Sequence, residues 1–400
     1  MKPTLESRRD GPVRRRRRVL GLAAALAAVT LASCGDDPEP APTSTGPQAQ
    51  GQPAPRAQTG QRESATVRAI RSRGRLNCGV NHSLPGFAYP DNRGQWRGFE
   101  VDYCRAVAVA VLGDREAVQF VPVSPTERFA SLQAGEMDVL IRNTSHTFSR
   151  DTDLGLDFGP TYYFDGQGFL AARSLNLRSA AELAGARICI ITGSTSESNT
   201  SDYFRSRGLA YEPVVVDRVE QARATYARQA CDAVTDDISG LASTRSVLDN
   251  PQAHVILPDV VSKEPMGAVT RQGDDGWDDV VAWALYAMVL GEELGLTSQN
   301  VQQVRELATN EDARRTAPDT PVRRLAGSPE VRRLLGVEGG FGRMLGVSDD
   351  WAFQVIRQVG NYGEVFETNL GERSPLRLQR GLNALWTAEQ PGLMYAPPVR

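Results

Sequence analysis

Residues 137–150 read MDVLIRNTSHTFSR, and this stretch decides how the rest of the chain is organised. The apolar run at 139–141 is typical of a buried strand. Small hydroxyl and amide side chains follow it directly, and Arg150 ends the stretch. Ligands of open α/β sheets bind at the carboxyl ends of strands, and a guanidinium offers a planar fork of donors that fits a carboxylate. The stretch therefore predicts one half of a site for a small zwitterion.

Two units of alternating strands and helices repeat around this stretch. The first predicts strands at 76–80, 118–123 and 137–141, separated by helices at 101–111 and 126–133. The second predicts strands at 187–191, 213–216 and 232–237, separated by a helix that runs through Tyr203 and one at 219–226. Such alternation implies parallel strands with right-handed crossovers. Two facing units would bring both polar strand ends into one cleft. The chain then returns to the first unit through 254–260 and 266–270 and continues in helices.

The chain length agrees with two compact units, because 400 residues exceed what one small core holds. The net charge of −3 includes a basic leader: residues 1–33 carry eight Lys or Arg against Glu6 and Asp10. Without that charge of +6 the remainder stands at −9. A surface of this sign argues against nucleic acid as a partner.

Residues 1–34 have the features of an export signal. A basic run at 14–18 precedes an apolar core at 19–31 that is short for a membrane span. The core ends in Leu-Ala-Ser-Cys, which looks like a bacterial lipobox with Cys34 as the lipidated residue. Cleavage after a small residue, leaving a soluble secreted protein, is the alternative. Segment 35–65 is rich in Pro, Ala, Gln and Gly, which predicts a disordered tether.

Four further cysteines form an even set for an oxidising compartment, namely Cys78, Cys104, Cys189 and Cys231. None has C-x-x-C spacing, so the pattern gives little support to a zinc or thioredoxin-like site. Cys104 falls on the buried face of its helix, where it could meet Cys78. Four cysteines allow three pairings. We expect Cys78–Cys104 and Cys189–Cys231, one in each unit.

The polar strand ends carry the candidate site, and no catalytic signature accompanies them. Asp237 ends the last strand of the second unit where an amine-binding carboxylate would lie, although the adjacent Asp236 leaves open which of the two faces inward. His82, His146 and His254 lie in neither a G-x-S-x-G elbow nor an H-E-x-x-H helix. No phosphate-binding loop is present, and nothing indicates a metal or cofactor.

With these residues in hand, the chain resembles the type II periplasmic solute-binding proteins of polar amino-acid ABC importers (bacterial extracellular solute-binding protein family 3). It is most similar to the general L-amino-acid-binding proteins of that group. The resemblance runs from about residue 75 to residue 400. It is carried by CGV (78–80), LPGF (84–87), VDYCRA (101–106), LQAGEMDVL (132–140), RNT (142–144), FSRD (148–151), YFDGQGF (163–169), TDD (235–237), GVEG (336–339), QVGNYGE (358–364) and YAPP (395–398).

The resemblance implies two Rossmann-like α/β lobes joined by two hinge strands, with a helical C-terminal extension on lobe 1. Lobe 1 would comprise 66–167 and 261–400, and lobe 2 would comprise 168–260. The ligand α-carboxylate would bind to Arg150, Ser145 and Thr195. The amine would bind to Asp237 and to the backbone carbonyl of Asn143.

The same resemblance places side-chain selection in the loops, where Asn81 and His82 are candidate contacts. Residues 124–126 provide no aromatic platform and residues 81–84 no acid, which favours a broad pocket.

The function implied is that of the substrate-binding component of an amino-acid importer. A monomer in the periplasm, anchored to the membrane through Cys34, would close on a free L-amino acid and dock on an inner-membrane ABC permease. It would not be an enzyme. The alternatives are a ligand-sensing receptor subunit and a cyclohexadienyl-dehydratase-type enzyme on the same fold.

Overall fold

The computed structural model of the protein describes residues 64–400. The predicted leader at 1–34 with Cys34, and residues 35–63 of the predicted tether, lie outside the described residues. The last two tether residues belong to a helix instead: Ser64 caps it through its side chain, which accepts a hydrogen bond from the Val67 N–H, and Ala65 begins it.

Residues 64–400 contain eleven strands, most of them short. They are β1 (Leu76–Val80), β2 (Tyr89–Pro90), β3 (Trp96–Arg97), β4 (Val118–Pro122), β5 (Val139–Leu140), β6 (Leu156–Ala172), β7 (Arg187–Ile191), β8 (Glu212–Val216), β9 (Ala233–Asp237), β10 (His254–Ile256) and β11 (Ser262–Arg271).

The same residues contain fifteen α-helices, seven of which lie in the last quarter of the chain. They are α1 (Ala65–Arg73), α2 (Phe99–Leu112), α3 (Arg128–Gln133), α4 (Phe148–Asp153), α5 (Thr195–Ser206), α6 (Val219–Ala227), α7 (Ile238–Ser246), α8 (Asp275–Glu293), α9 (Val301–Thr309), α10 (Glu311–Thr316), α11 (Pro321–Gly327), α12 (Pro329–Leu334), α13 (Phe341–Met344), α14 (Trp351–Gln358) and α15 (Tyr362–Asn369). No helix in this part of the chain combines the length and apolar character that a membrane crossing requires.

One sheet connects the two units, in the order β4-β1-β5-β11-β6-β9-β7-β8, with β10 paired to β6. Within each unit the pairs are parallel, as the alternation of strands and helices predicts. The central pair is antiparallel and links the units: β6 carries the chain out of the first and β11 brings it back. We call the part around β4, β1 and β5 lobe 1 and the part around β9, β7 and β8 lobe 2. The fold is the two-lobed α/β architecture with two connecting strands that the sequence predicts.

Each lobe contains one disulfide bond, which links a parallel strand to a neighbouring segment of the chain. Cys78 on β1 bonds to Cys104 on α2, with a Cα–Cα distance of 6.1 Å. Cys189 on β7 bonds to Cys231, two residues before β9, with a Cα–Cα distance of 5.7 Å. These are the two pairings expected from the sequence.

The C-terminal helices are part of the core of lobe 1. Tyr362 and Phe366 on α15 are fully buried, and their rings pack against Phe99 at the start of α2. The Tyr362 hydroxyl donates to the carbonyl oxygen of Tyr162 on β6, at 2.9 Å. The extension therefore packs against α2 of lobe 1 and forms a hydrogen bond with the connecting strand β6.

Candidate functional site: the cleft between the lobes

A small cleft lies where the polar strand ends of the two lobes meet. It is lined by residues from both lobes, namely Asn81, Leu84, Pro125, Arg128, Arg142, Asn143, Ser145 and Arg150 from lobe 1 and Ile191, Ser194, Thr195, Ser196, Val219, Asp236 and Asp237 from lobe 2. Six of the seven predicted ligand residues are in this group.

Asn143 organises the lobe 1 wall of the cleft. It has a positive φ of 20°, a conformation that asparagine tolerates better than most residues. Its backbone N–H donates to the buried carboxylate of Glu100, and its Oδ1 accepts from Asn81 Nδ2 at 3.3 Å. The two asparagines predicted from separate loops are therefore joined in one network.

Arg150 lies on the short helix α4, which the sequence pattern does not predict. The Thr147 hydroxyl caps this helix by accepting from the Arg150 N–H at 3.4 Å. The Arg150 guanidinium donates to the Ser145 carbonyl at 2.9 Å and lies over the Phe129 ring. Within residues 64–400 no carboxylate forms an ion pair with it, and partial burial lowers its pKa. Its remaining donors are available to an anion in the cleft.

Asp237 lies opposite, at the end of β9. Its Oδ2 accepts from Asn143 Nδ2 across the cleft, at 3.5 Å. Burial raises the pKa of Asp237 well above its usual range, and the nearby carboxylates of Asp236, Asp165 and Glu264 raise it further. A ligand ammonium would relieve this charge repulsion, so the environment favours an amine.

Asp236 also lines the cleft, but its carboxylate packs on the first turn of α7. A Cβ at Gly240 would lie 2.8 Å from Asp236 Oδ2. Burial raises the pKa of Asp236 to about 7. The two consecutive acids therefore have different neighbours, which the sequence leaves open.

Thr195 lies in the cleft at the start of α5, and its hydroxyl donates to Glu264 Oε2 at 2.8 Å. The other Glu264 oxygen accepts from Asn199 and Ser262. Glu264, on β11, therefore fixes the first turn of α5 against a connecting strand. The sequence pattern does not single out this residue.

His82 lies outside the group that lines the cleft. Its exposed imidazole Nδ1 lies 3.2 Å from Glu220 Oε1 on α6 of the other lobe. Beside it, Arg223 of α6 donates to the Ser83 carbonyl at 3.1 Å. These contacts bridge the lobes at the rim, so the structure has the lobes closed on each other.

Arg128 and Arg142 also face the cleft, and neither is among the site residues predicted from the sequence. Both are buried, at 3% and 5% exposure. Arg142 Nε donates to the Val123 carbonyl at 2.9 Å, and Arg128 reaches the Gly193 carbonyl of lobe 2 at 3.4 Å. The sequence does give one indication that Arg142 lies in the site, because it directly follows the apolar run at 139–141. Arg128, on α3, gives no comparable signal.

The chain matches a known protein family over both lobes. Residues 76–300 match the bacterial extracellular solute-binding proteins, family 3. The chain belongs to this family. The match spans both lobes of this family 3 protein, including β11 and α8.

Two curated relatives match this solute-binding protein beyond residue 300. The general L-amino acid-binding periplasmic protein AapJ of Rhizobium johnstonii is 47% identical over 340 residues, covering 84% of this chain and 93% of the relative. The glutamate/glutamine/aspartate/asparagine-binding protein BztA of Rhodobacter capsulatus is 46% identical, covering 85% and 95%. A solved structure, an ABC transporter periplasmic binding protein from Brucella ovis with glutathione bound, is 46% identical with a TM-score of 0.77, covering 84% and 99%.

Proposed function

We propose that this protein binds free L-amino acids in the cleft and delivers them to the permease of an ABC importer. The observation that carries the proposal is the position of Arg150 and Asp237 on opposite walls of the cleft. A guanidinium on lobe 1 and a buried carboxylate on lobe 2 face one cleft, and neither has an ion-pair partner within residues 64–400. A zwitterion supplies both partners at once.

The relatives support this chemistry. AapJ is named for general L-amino acids and BztA for four amino acids, and both are about as long as the matched part of this chain. In the proposed complex, Arg150 and the Ser145 hydroxyl hold the α-carboxylate together with the backbone N–H of Thr195 at the start of α5, because the Thr195 hydroxyl donates to Glu264. Asp237 and the Asn143 carbonyl hold the amine. Asn81 positions Asn143, and His82 acts at the rim. The five ligand-binding residues, Arg150, Ser145, Thr195, Asp237 and Asn143, contact only the part common to all α-amino acids, so we propose broad binding of polar amino acids.

Lobe closure couples binding to delivery. A ligand held by Arg150 on lobe 1 completes the contacts of Asp237 and Thr195 on lobe 2, so it binds the closed state more tightly than the open one. Charge-assisted hydrogen bonds contribute about 1.5–3 kcal/mol each. Three or four of them reach micromolar affinity, about 8 kcal/mol, with little help from the side chain.

We further propose that the mature protein is a monomer in the periplasm, exported by residues 1–34 and anchored through Cys34. Lobe 1 would comprise 66–167 and 261–400, with lobe 2 at 168–260 moving as the second body. Catalysis is not required by any step. The imidazole of His146, the histidine nearest the β5 strand end, stacks on Phe158 and pairs with Asp151 at 3.2 Å.

Calorimetry of the mature protein against the twenty amino acids tests the proposal. We expect several polar amino acids to bind, and Arg150→Ala and Asp237→Ala each to abolish binding. Binding that survives both substitutions would refute this site. Turnover of prephenate or arogenate that Arg150→Ala abolishes would favour the dehydratase alternative.

A further inference from the structure

The two strands that connect the lobes carry a pair of acids directly opposite each other. Asp165 on β6 and Glu264 on β11 are partners in the antiparallel register, so their side chains lie on the same face of the sheet. Glu264 is almost fully buried, at 1% exposure, and Asp165 is half-buried. Like charges directly opposite each other destabilise a strand pair. Other contacts must offset this repulsion, and each acid makes them with lobe 2.

Glu264 holds the helix that carries Thr195. Its Oε2 accepts from the Thr195 hydroxyl and its Oε1 accepts from Asn199 Nδ2, each at 2.8 Å. Thr195 begins α5 and Asn199 lies one turn later, so a single carboxylate fixes the first turn of this helix. The charge of Glu264 also partly offsets the effect of burial on the pKa of Arg150. In the proposed complex the Thr195 N–H binds the ligand carboxylate, and the direction of this N–H depends on Glu264.

Asp165 holds the helix that follows Asp237. Its Oδ2 accepts from the Ser239 N–H at 3.1 Å, and its Oδ1 accepts from the Gly166 N–H at 2.8 Å. Asp237 is the N-cap residue of α7, and Ser239 is in the first turn of that helix. A carboxylate at a helix N-terminus is stabilised by the unpaired N–H groups and by the helix dipole. Asp165 therefore fixes the backbone that presents the Asp237 carboxylate to the ligand.

We propose that Asp165 and Glu264 are positioning residues for amino-acid binding. Neither lines the cleft, but each fixes the lobe 2 helix that presents one ligand-binding group. Because both acids lie on the strands about which the lobes close, they set the direction of Asp237 and of the Thr195 N–H in the closed state. This inference rests on the proposed function, since a positioning role requires that the cleft binds an α-amino acid.

Asp165 also links amino-acid binding to a proton. The titratable and charged groups around it are mostly acidic, namely Tyr163 on β6, Asp236 and Asp237 on β9, Glu264 on β11, and Arg142 beside Asp236. Burial raises the pKa of Asp165 to about 6, and Glu264 adds to this effect, while hydrogen bonds from Ser239 and Gly166 oppose it. A ligand ammonium held by Asp237 favours the ionised form of Asp165. Binding near pH 6 should therefore release about half a proton from Asp165.

Substitutions at Glu264 test the positioning role. Glu264→Leu removes the acceptor for Thr195, and we expect the affinity for every amino acid to fall by the same factor, about tenfold or more. Glu264→Gln keeps an oxygen for the Thr195 hydroxyl and should bind within about threefold of the native protein. A role in folding alone would lower the melting temperature of Glu264→Leu without changing the affinity of the folded protein. Calorimetry of the mature protein well below that temperature distinguishes the two roles.

Asp165→Asn keeps the size of the side chain and one of its two acceptors. At pH 6 we expect binding about three- to tenfold weaker, with about half a proton less released than in the native protein. Calorimetry in two buffers of different ionisation enthalpy measures the released protons. Asp259→Asn is the matched control, because Asp259 likewise accepts from a lobe 2 backbone N–H, that of Ala180, but lies outside the cleft lining and holds no ligand-binding helix. It should change neither the affinity nor the proton release.

The outcomes keep the two proposals apart. If amino acids bind and both Glu264→Leu and Asp165→Asn retain the native affinity, the positioning role is refuted. A loss confined to one class of amino acid would also refute it, because the acids would then act on the ligand side chain. Equal proton release by the native protein and Asp165→Asn would refute the link to the proton. Failure of every amino acid to bind the native protein would refute the proposed function instead.

Discussion

The carboxylates of Asp236 and Asp237 are consecutive in sequence but have different partners. Asp237 accepts from Asn143 of the opposite lobe, whereas Asp236 packs against Gly240 on its own lobe. We expect Asp237→Asn to weaken amino-acid binding by at least about 100-fold, because the amine loses its charged partner. Asp236→Asn should cost less than about tenfold, since its carboxylate acts on the ammonium only from a distance. Calorimetry with one polar amino acid measures both. The reverse order would assign the amine to Asp236.

The residues of the cleft differ in how far the sequence alone predicts them. Arg150, Ser145, Asn143 and Asp237 follow buried strands, so the strand pattern alone brings them to one edge of the sheet. Arg128 lies in Thr-Glu-Arg-Phe, a polar surround typical of a solvated helix face. It is nevertheless buried, and its guanidinium reaches the Gly193 carbonyl of the second lobe. No local pattern encodes that contact.

Among the elements, β6 is a long strand that the sequence pattern does not predict. Its seventeen residues, LDFGPTYYFDGQGFLAA, contain glycine and proline as well as two aspartates, which favour loops. The strand forms because it is paired along its length, with β11 over most of it and with β9 and β10 at its end. The parallel strands within each lobe, by contrast, are short apolar runs and are predicted from local pattern with small errors at their ends.

Two side chains of helix α6 in lobe 2 contact lobe 1. Its Arg223 donates to the Ser83 carbonyl, and its Glu220 faces His82. Because neither group lines the cleft, their contacts stabilise the closed state whatever the ligand. We expect Arg223→Met to lower the affinity for every ligand by the same factor, about three- to tenfold. A panel of chemically different amino acids tests this. Selective loss of one class would mean that Arg223 contacts the ligand side chain.

At the scale of the whole molecule, the C-terminal extension and the cleft share one core. Tyr162 on β6 donates from its hydroxyl to Glu100 at 2.6 Å, while its carbonyl accepts from Tyr362 of the extension. Glu100 in turn accepts from the backbone of Asn143 at the cleft wall. The extension is thus connected to the ligand site through two buried side chains.

Buried carboxyls give the whole molecule an unusual pH dependence. Burial raises the pKa of Glu100 and of Asp236 to about 7 and that of Asp165 to about 6. Unfolded carboxyls ionise near pH 4. Between these values the folded state binds more protons than the unfolded state, so stability falls as pH rises. His254, with its lowered pKa, opposes this slope as a single group.

We therefore expect the free energy of unfolding of the ligand-free protein to decrease from pH 5 to pH 7 in urea titrations. Glu100→Gln should make the slope shallower by about 1 kcal/mol per pH unit, because one fully buried titrating group is removed. Glutamine keeps an oxygen for the Tyr162 hydroxyl, so the fold is retained. Asp91→Asn is the control: hydrogen bonds from the Gln95 and Arg93 backbones lower the pKa of Asp91, and its contribution is constant above pH 5. A slope that Glu100→Gln leaves unchanged would show that Glu100 remains ionised in the folded core, where the charge of Arg142 favours the ionised form.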